Sequence, residues 1–396
     1  MKKLFFSFAF GLAVAAGFAA TPLWMRDVRI SPDGTEIVFC YKGDIYKVAV
    51  KGGGTAFQLT TQASYECSPV WSPDGKTIAF ASDRYGNFDV FVMPSCGGEA
   101  RRLTTHSAGE LPSAFTPDGQ FVLFSASIQD PAGSALFPTS AMTELYRVPV
   151  SGGRTEQVLG TPAEAICFSP SGESFYYQDR KGFEDEWRKH HTSSITRDVW
   201  RYDVATGRHT NLTDRAGEDR NPVLSPDGKT LYFLSERNGG SFNVYAFPVD
   251  RMQDVRAVTG FKTHPVRFLS MGNDGTLCYA YDGEIYTQTV GGTPKKVVVD
   301  IVRDDSPQLA TIPVSGGITS ATVSPDGKQV AFIARGEVFV TSADYATTKQ
   351  ITHTAAAEAG LSFGADNRTL AYASERNGNW QLYLAKIVRE ADPIVQ

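Results

Sequence analysis

The chain has 396 residues, of which 37 are glycine, 21 are proline and 12% are aromatic, so it has many turns and enough apolar mass for a large core. Its formal net charge is −5, and its basic residues are scattered rather than gathered into a run that could neutralise a row of phosphates. This composition argues against a nucleic-acid-binding protein.

The first twenty residues have the pattern of a secretory signal peptide. Lys2 and Lys3 give a positive start, residues 4–16 are apolar, and the small residues Ala19 and Ala20 mark the expected cleavage site. An uncleaved membrane anchor is the alternative, but the apolar run is marginal for spanning a bilayer. We therefore expect export, most simply to a bacterial periplasm, with no stable membrane insertion after cleavage.

A four-residue turn motif recurs along the rest of the chain. In its clearest form, Pro73 presets φ, Asp74 can accept backbone hydrogen bonds, and Gly75 tolerates positive φ, which together predict a tight turn. Matches or near matches recur at intervals of 40 to 56 residues and begin at Ser31, Ser72, Thr116, Ser169, Ser225, Gly272, Ser324 and Gly364.

Strand-forming runs flank each turn, and a second mark closes most of the repeats in phase. This closing pair is Leu-Thr or a close variant, found at Leu59-Thr60, Leu103-Thr104, Leu212-Thr213, Val258-Thr259 and Ile351-Thr352. Four short strands per repeat and this period predict an all-β fold of four-stranded antiparallel propeller blades, rather than a β-sandwich or separate small β domains.

Five cysteines are spread about one per repeat, without the spacing of a metal site: Cys40, Cys67, Cys96, Cys167 and Cys278. One disulfide is possible after export, but the odd count and the strand-like positions favour buried single thiols. We expect no metal at these cysteines.

The third and fourth repeats carry insertions, Ile128–Met142 and Arg180–Arg197, and long loops of this kind are often functional. The second insertion holds the His190-His191 pair. A metal site would combine these histidines with a nearby carboxylate, from Glu184, Asp185 or Glu186. Because adjacent strand residues point to opposite faces, one ion could not easily take both histidines, and we expect a structural or partner-facing loop.

Counting repeats predicts the domain organisation. Residues 21–300 hold six blades, residues 301–316 form a linker without a blade turn, and residues 317–396 hold the first two blades of a second, incomplete propeller. A single eight-bladed ring is the alternative. Two blades alone leave sheet edges and faces exposed, so we expect this chain to be the front part of a longer protein.

Three segments resemble the amino-terminal propeller region of tricorn-type proteases: Arg188–Asp203 (RKHHTSSITRDVWRYD), Gly217–Tyr245 and Ser324–Val340. The opening Ala20–Gly34 resembles exported bacterial homologues of that family. The likeness runs from about Ala20 to Ile387, whereas TolB and prolyl-oligopeptidase-like propellers share only the turn motif.

The resemblance implies a six-bladed ring followed by a seven-bladed one, then a PDZ domain between catalytic domains with a serine nucleophile. It also implies cleavage of oligopeptides, propellers that filter and channel peptides, and assembly into homo-oligomers, typically hexamers. The family's archaeal members are cytoplasmic, so export is a departure from them. None of the family's catalytic positions can be matched to this sequence.

The residues themselves also indicate that catalytic chemistry is missing. The sequence has no HExxH or P-loop, and its histidines are scattered over different repeats: His106, His190, His191, His209, His264 and His353. We assign no catalytic, cofactor-binding or metal-binding residues and expect no cofactor.

The leading hypothesis is a substrate-channelling propeller portion of a tricorn-like serine peptidase, inactive by itself, with peptides or unfolded polypeptide as partners. A self-contained periplasmic TolB-like binding module is the alternative. A propeller enzyme acting at the central pore is a third possibility, and the sequence does not identify its pore residues.

Overall fold

The computed structural model describes residues 22–128, 142–183, 185, 187–189, 193–237, 241–302 and 316–392. Within these ranges all regular secondary structure is β, and they contain no helix long and apolar enough to cross a membrane. The predicted signal peptide, most of the insertion Ile128–Met142, most of the predicted linker 301–316 and the His190-His191 pair lie outside the described residues.

The chain divides into two compact units, Met1–Arg303 and Asp304–Gln396. The first unit holds six four-stranded sheets in sequence order. The first three sheets contain, in order, β1 (Arg26–Ile30), β2 (Glu36–Tyr41), β3 (Asp44–Ala49) and β5 (Phe57–Gln58); β6 (Glu66–Trp71), β7 (Thr77–Ser82), β8 (Asp89–Pro94) and β9 (Arg101–Arg102); and β10 (Glu110–Phe115), β11 (Phe121–Ala126), β12 (Glu144–Pro149) and β13 (Glu156–Leu159).

The next three sheets repeat this order. They contain β14 (Glu164–Phe168), β15 (Ser174–Gln178), β16 (Val199–Asp203) and β17 (Arg208–Asn211); β18 (Asp219–Leu224), β19 (Thr230–Ser235), β20 (Asn243–Pro248) and β21 (Arg256–Ala257); and β22 (Val266–Met271), β23 (Leu277–Tyr281), β24 (Glu284–Gln288) and β25 (Lys295–Lys296). Every pairing within these sheets is antiparallel, as expected for propeller blades.

The six sheets form a closed ring, which confirms the predicted six-bladed propeller. The first strand of each sheet contacts the first strand of the next, and β22 of the sixth sheet returns to contact β1. Apolar side chains of neighbouring sheets pack face to face, and one core cluster joins Val28 and Phe39 of the first sheet to Cys278 and Ile285 of the sixth. The core therefore lies between blades.

The recurring turn is held by its own side chains, as Ser72–Gly75 shows. The Ser72 hydroxyl donates to Asp74 Oδ1 at 2.6 Å and accepts the Thr77 N–H at 2.9 Å, while Asp74 Oδ1 also accepts the Lys76 N–H. Gly75 has a φ of 70°, which favours glycine. Each turn of this kind joins the first and second strands of its sheet.

A strand from the end of the ring returns to the first blade. β26 (Val299–Asp300) pairs in parallel with β4 (Gly54–Thr55), which lies just before β5. Val297 and Val299 are buried in the cluster that joins the first and sixth blades. These residues lie within the predicted ring of residues 21–300, and the pairing of β26 with β4 joins the end of the ring to its first blade.

The second unit contains two sheets. The first has β27 (Ile318–Val323), β28 (Gln329–Ala334), β29 (Glu337–Ser342) and β30 (Thr348–Gln350), and the second has β31 (Glu358–Phe363), β32 (Thr369–Ser374) and β33 (Gln381–Lys386). They pack against each other through Ile333, Val338, Leu370 and Tyr372. These sheets are the two further blades that the repeats predict.

All five cysteines are free thiols. Cys40 and Cys278 are buried in strands as predicted, and burial raises the pKa of both thiols. The expectation of burial is wrong for Cys96, which is exposed in the turn after β8 because the strand ends two residues before it.

Candidate functional site

The first strand of every blade surrounds the axis of the six-bladed ring, and each of these strands has a bulge in its pairing with the second strand. In five blades one bulge residue has a φ between 50° and 56°: Asp27, Ser68, Ala165, Asn221 and Phe268. A bulge bends its strand and redirects a side chain, and bulges are common near functional sites.

Hydrogen bonds between neighbouring inner strands fix these bulges. The Asn221 side chain accepts the Leu269 N–H at 2.8 Å and donates to the Leu269 carbonyl at 3.0 Å, and Asp27 accepts the Ser68 N–H at 3.1 Å. In the same way the Ser113 hydroxyl accepts the Ile166 N–H at 2.8 Å. The inner wall of the ring is therefore a bonded, well-defined surface.

A cavity of about 180 Å³, called the axial cavity below, lies against the inner wall of the ring. Its lining comes from the first, fourth, fifth and sixth blades and from the insertion of the fourth blade, and it includes Arg29, Gln178, Arg220, Asn221, Arg267 and Trp187. Cationic side chains dominate the charged part of this lining.

Trp187 is one of the residues that line this axial cavity. The guanidinium carbon of Arg26 is 4.7 Å from the centre of its ring and that of Arg267 is 5.0 Å away, and the Phe268 ring packs edge-on at 6.1 Å. Arg267 Nη2 also donates to the Trp187 carbonyl at 2.9 Å. Trp187 is nevertheless 43% exposed, so its ring contacts solvent although guanidinium groups from two blades pack against it.

Buried ion pairs anchor the segment that carries Trp187. Arg188, which is 7% exposed, donates at 2.7 Å to both Glu218 and Glu236, and Arg197 pairs with Glu218 at 3.1 Å. Burial by itself would raise the pKa of Glu218, but the Arg220, Arg197 and Arg188 guanidinium groups outweigh burial and lower it. The blade-four insertion is thus tied to the fifth blade through charge.

A second cavity of about 290 Å³ lies on the other side of Trp187 and is lined by the first and sixth blades. Here Lys189 Nζ lies 3.3 Å from His264 Nδ1, and His264 Nε2 lies 3.3 Å from Asp282 Oδ1. Trp187 lines both the axial cavity and this outer one, and so do Arg267 and Phe268.

At the opposite end of the inner strands, the recurring turns of the sixth, first and second blades line a cavity of about 410 Å³ that contains Asp33, Asp74 and Asp274. Hydrogen bonds from Ser31 and Thr35 lower the pKa of Asp33, and those from Ser72 and Lys76 lower the pKa of Asp74. The Asp33 and Asp74 carboxylates therefore stay ionised, so this end of the inner strands is acidic while the axial cavity is cationic.

The structure separates the histidines that it describes. His209 lies against Tyr177 at 2.8 Å, His264 lies beside the outer cavity, and His106 and His353 lie in loops after β9 and β30. No group of three metal-ligating side chains occurs among the described residues. Because His190, His191, Glu184 and Glu186 are outside those residues, the metal question at the insertion stays a prediction.

Sequence reasoning missed the axial residues, although a signal was present. Counting back five residues from the start of each turn motif gives one inner-wall position per blade: Arg26, Cys67, Leu111, Glu164, Arg220 and Arg267. Arginine occupies half of these positions. An inner wall of this kind can bind an extended chain and attract negative charge, because the guanidinium group matches carboxylate geometry.

Comparison with known proteins places this geometry in a family. Dipeptidyl-peptidase 5 of Porphyromonas gingivalis is 27% identical over 289 residues, which cover 61% of this chain and 41% of that protein. The uncharacterized peptidase YuxL of Bacillus subtilis is 28% identical over 220 residues, covering 53% of this chain and 29% of that protein. The chain therefore spans less than half the length of either peptidase.

The uncharacterized protein Atu1656 of Agrobacterium fabrum is 27% identical over 198 residues, covering 48% of this chain and 61% of that protein. The solved structure of the tricorn protease shares the fold, with a TM-score of 0.75 at 20% identity, covering 93% of this chain and 36% of that one. Residues 22–293, the six-bladed ring, match the family described as the tricorn protease N-terminal beta propeller domain. This chain belongs to that family.

Proposed function

We propose that this chain is the substrate-conducting propeller portion of a peptidase-like protein, in which the six-bladed ring admits and channels peptides. The observation that carries the proposal is the axial cavity, whose lining includes the partly exposed Trp187 that Arg26 and Arg267 hold. Membership of the tricorn propeller family and the likeness to two peptidases support a peptide as the conducted molecule.

The gate in this proposal is Trp187. Its backbone is fixed by buried ion pairs of the adjacent Arg188, while its ring is held by cation–π contacts at a partly wet position. Such contacts at exposed sites are worth only about 0.5–1 kcal/mol each, so an incoming chain can displace the ring without unfolding the insertion. Catalysis belongs to domains outside this chain, and we expect no hydrolysis of fluorogenic peptides by the purified chain.

The test uses a cysteine in place of the gate. Trp187→Cys is made in a Cys96→Ser background, because Cys96 is the exposed thiol, and maleimide labelling is followed with and without a mixed-sequence peptide. The matched control is Met252→Cys on an exposed turn of the fifth blade. We expect the peptide to slow labelling at position 187 severalfold and leave position 252 unchanged; equal labelling rates at 187 with and without peptide contradict the proposal.

Export is part of the proposal, and it rests on the pattern of residues 1–20. The expected product begins at Ala20 or Thr21, and amino-terminal sequencing of the protein from a periplasmic extract checks it. An intact Met1 in a cytoplasmic fraction contradicts export. Assembly into homo-oligomers, which the tricorn resemblance implies, remains a proposal as well.

A further inference from the structure

Arg29 is the axial residue whose charge is not compensated at close range. Its guanidinium group lines the axial cavity, and among the described residues it makes no side-chain hydrogen bond and no ion pair within 4.0 Å. Burial lowers the pKa of Arg29, and the nearest opposing charge is Asp27, which partly offsets that effect. An arginine remains protonated under such conditions, so a cation without a hydrogen-bond or ion-pair partner among the described residues lines the cavity.

The other charged groups of the cavity wall are already engaged. Arg220 pairs with Glu218 at 3.5 Å and lies over the Phe242 ring at 4.3 Å. Arg267 donates to the carbonyls of Trp187 and Arg188. These two arginines add positive potential around Arg29 without neutralising it.

Two carboxylates of the inner strands already have partners of their own. Asp27 accepts the Ser68 N–H at 3.1 Å, and Glu164 pairs with Arg180 at 3.1 Å. Both acids are therefore engaged by other groups. An anion that enters the axial cavity can pair with Arg29 without displacing an existing hydrogen bond or ion pair.

We propose that the axial cavity is a carboxylate-binding site in which Arg29 supplies the recognising fork, so that the ring prefers peptides bearing a carboxylate. This deepens, and rests on, the proposed peptide-conducting function. A guanidinium group matches a carboxylate through two parallel N–H···O bonds. A phosphate dianion would bring more negative charge than one uncompensated arginine balances, and a cavity of about 180 Å³ suits a small planar group.

The carboxylate can come from the end of a peptide or from an acidic side chain. Four blocked tripeptides separate these sources: Ac-Ala-Ala-Ala with a free or an amidated carboxyl end, and amidated Ac-Ala-Glu-Ala and Ac-Ala-Gln-Ala. N-acetylglycine and its amide provide the smallest matched pair. Binding is measured by titration calorimetry at low salt with the 396-residue chain, since screening weakens such contacts.

The variants are Arg29→Gln, Arg29→Lys and the control Arg251→Gln, which makes the same charge change at an exposed turn. We expect the chain to bind the acids more tightly than their amides, Arg29→Gln to weaken acid binding roughly tenfold, Arg29→Lys to weaken it less, and Arg251→Gln to leave it unchanged. The member of the tripeptide set that binds best identifies the source of the carboxylate.

Equal affinity for acids and amides overturns the proposal, and so does acid binding that survives Arg29→Gln. If Arg29→Gln does not fold, the comparison of acids with amides on the unmodified chain and the Arg29→Lys variant test the proposal in its place. A preference for acids that Arg29→Lys leaves unchanged would show that another residue binds the carboxylate. Protection of position 187 by acidic and neutral peptides alike would leave the peptide-conducting function standing and remove only this inference.

Discussion

The closing Leu-Thr pairs of the repeat have a common chemical role at the threonine. Each threonine hydroxyl accepts a backbone N–H near the start of the third strand of its sheet, at 2.8 to 2.9 Å, linking Thr60 to Ile45, Thr104 to Val90, Thr213 to Val199, Thr259 to Val244 and Thr352 to Val338. All five threonines are buried. The hydroxyl thus satisfies a backbone donor at the place where the short fourth strand has ended.

Thr213→Val tests this role, because valine keeps the shape and removes the acceptor. The Val199 N–H then has no partner, and we expect the free energy of unfolding to fall by about 1–2 kcal/mol and the Val199 amide to exchange faster with solvent. Thr210→Val, on β17 nearby, is the control, with an expected change within about 0.5 kcal/mol. Equal effects of the two substitutions would contradict the role proposed for the Thr213 hydroxyl.

Glu110 is a second residue whose environment has a measurable consequence. It begins β10 with only 1% of its surface exposed, and burial raises its pKa to about 7, with the nearby Asp89 adding to the effect. The positive charge of Arg102 lowers the pKa of Glu110 only in part, because the Arg102 guanidinium group pairs with Asp89 at 2.7 Å.

A carboxyl group with a raised pKa stabilises the fold while it is protonated. The contribution of Glu110 is therefore complete below its ordinary pKa of 4.5 and is lost as the pH rises to about 7. We expect the free energy of unfolding to lose about 1–2 kcal/mol over this range from Glu110, after allowance for solvent screening. Glu110→Gln should flatten that part of the denaturant-midpoint profile, and the exposed Glu99→Gln should leave it as it is.

At the scale of elements, the strand pair β4 and β26 closes the ring with very few residues. Gly54 N donates to the Val298 carbonyl and Ala56 N donates to the Asp300 carbonyl, both at 2.8 Å. Gly53 has a φ of 56°, and a β-carbon there would lie 2.2 Å from the Val298 carbonyl oxygen. The close approach of the two strands therefore requires glycine.

Gly53→Ala should force the closing strand away from the first blade. Its neighbour Gly52 also has a positive φ, of 86°, but a β-carbon there meets nothing within 4 Å, so Gly52→Ala carries the backbone strain without the clash. We expect Gly53→Ala to cost roughly 2 kcal/mol more in unfolding free energy than Gly52→Ala. Faster amide exchange at Gly54 and Ala56 should accompany it, and similar losses in both variants would contradict the closure role.

The elements differ in how far the sequence could predict them. The sheets were predictable because Ser72, Pro73, Asp74 and Gly75 act on one another within a single turn, and such local chemistry leaves a repeated mark. β26 is two residues long and pairs with a strand almost 250 residues earlier, at Gly54, so no local pattern marks it. Its burial against the first blade appears only when the ring closes.

The axial site was hidden for a related reason. Arg220 and Arg267 share an offset from the turn, which Arg29 does not, and that offset identifies the inner wall only once bulges such as the one at Asn221 are known to turn residues inward. Trp187 lies on an insertion outside the repeat, and its position depends on Glu218 and Glu236 of another blade. Long-range ion pairs of this kind have no signature in a single sequence.

At the scale of the whole molecule, the second unit differs from the ring in how it buries its strands. Tyr383 and Ala385 of β33 pack against the neighbouring sheet, whereas Leu382 and Leu384 on the opposite face are 75% and 67% exposed. Trp380, just before this strand, is 54% exposed. A contiguous apolar sheet face of this kind favours association with another surface.

We therefore expect the 396-residue chain to associate as its concentration rises, with β33 as the responsible surface. The double substitution Leu382→Lys and Leu384→Lys should shift the mass measured by light scattering towards that of one chain, because lysine keeps the strand soluble and blocks face-to-face packing. Val204→Lys with Met252→Lys makes the same charge change on exposed positions of the ring and should leave association unchanged. If both double variants dissociate equally, net charge and not the apolar face of β33 governs the assembly.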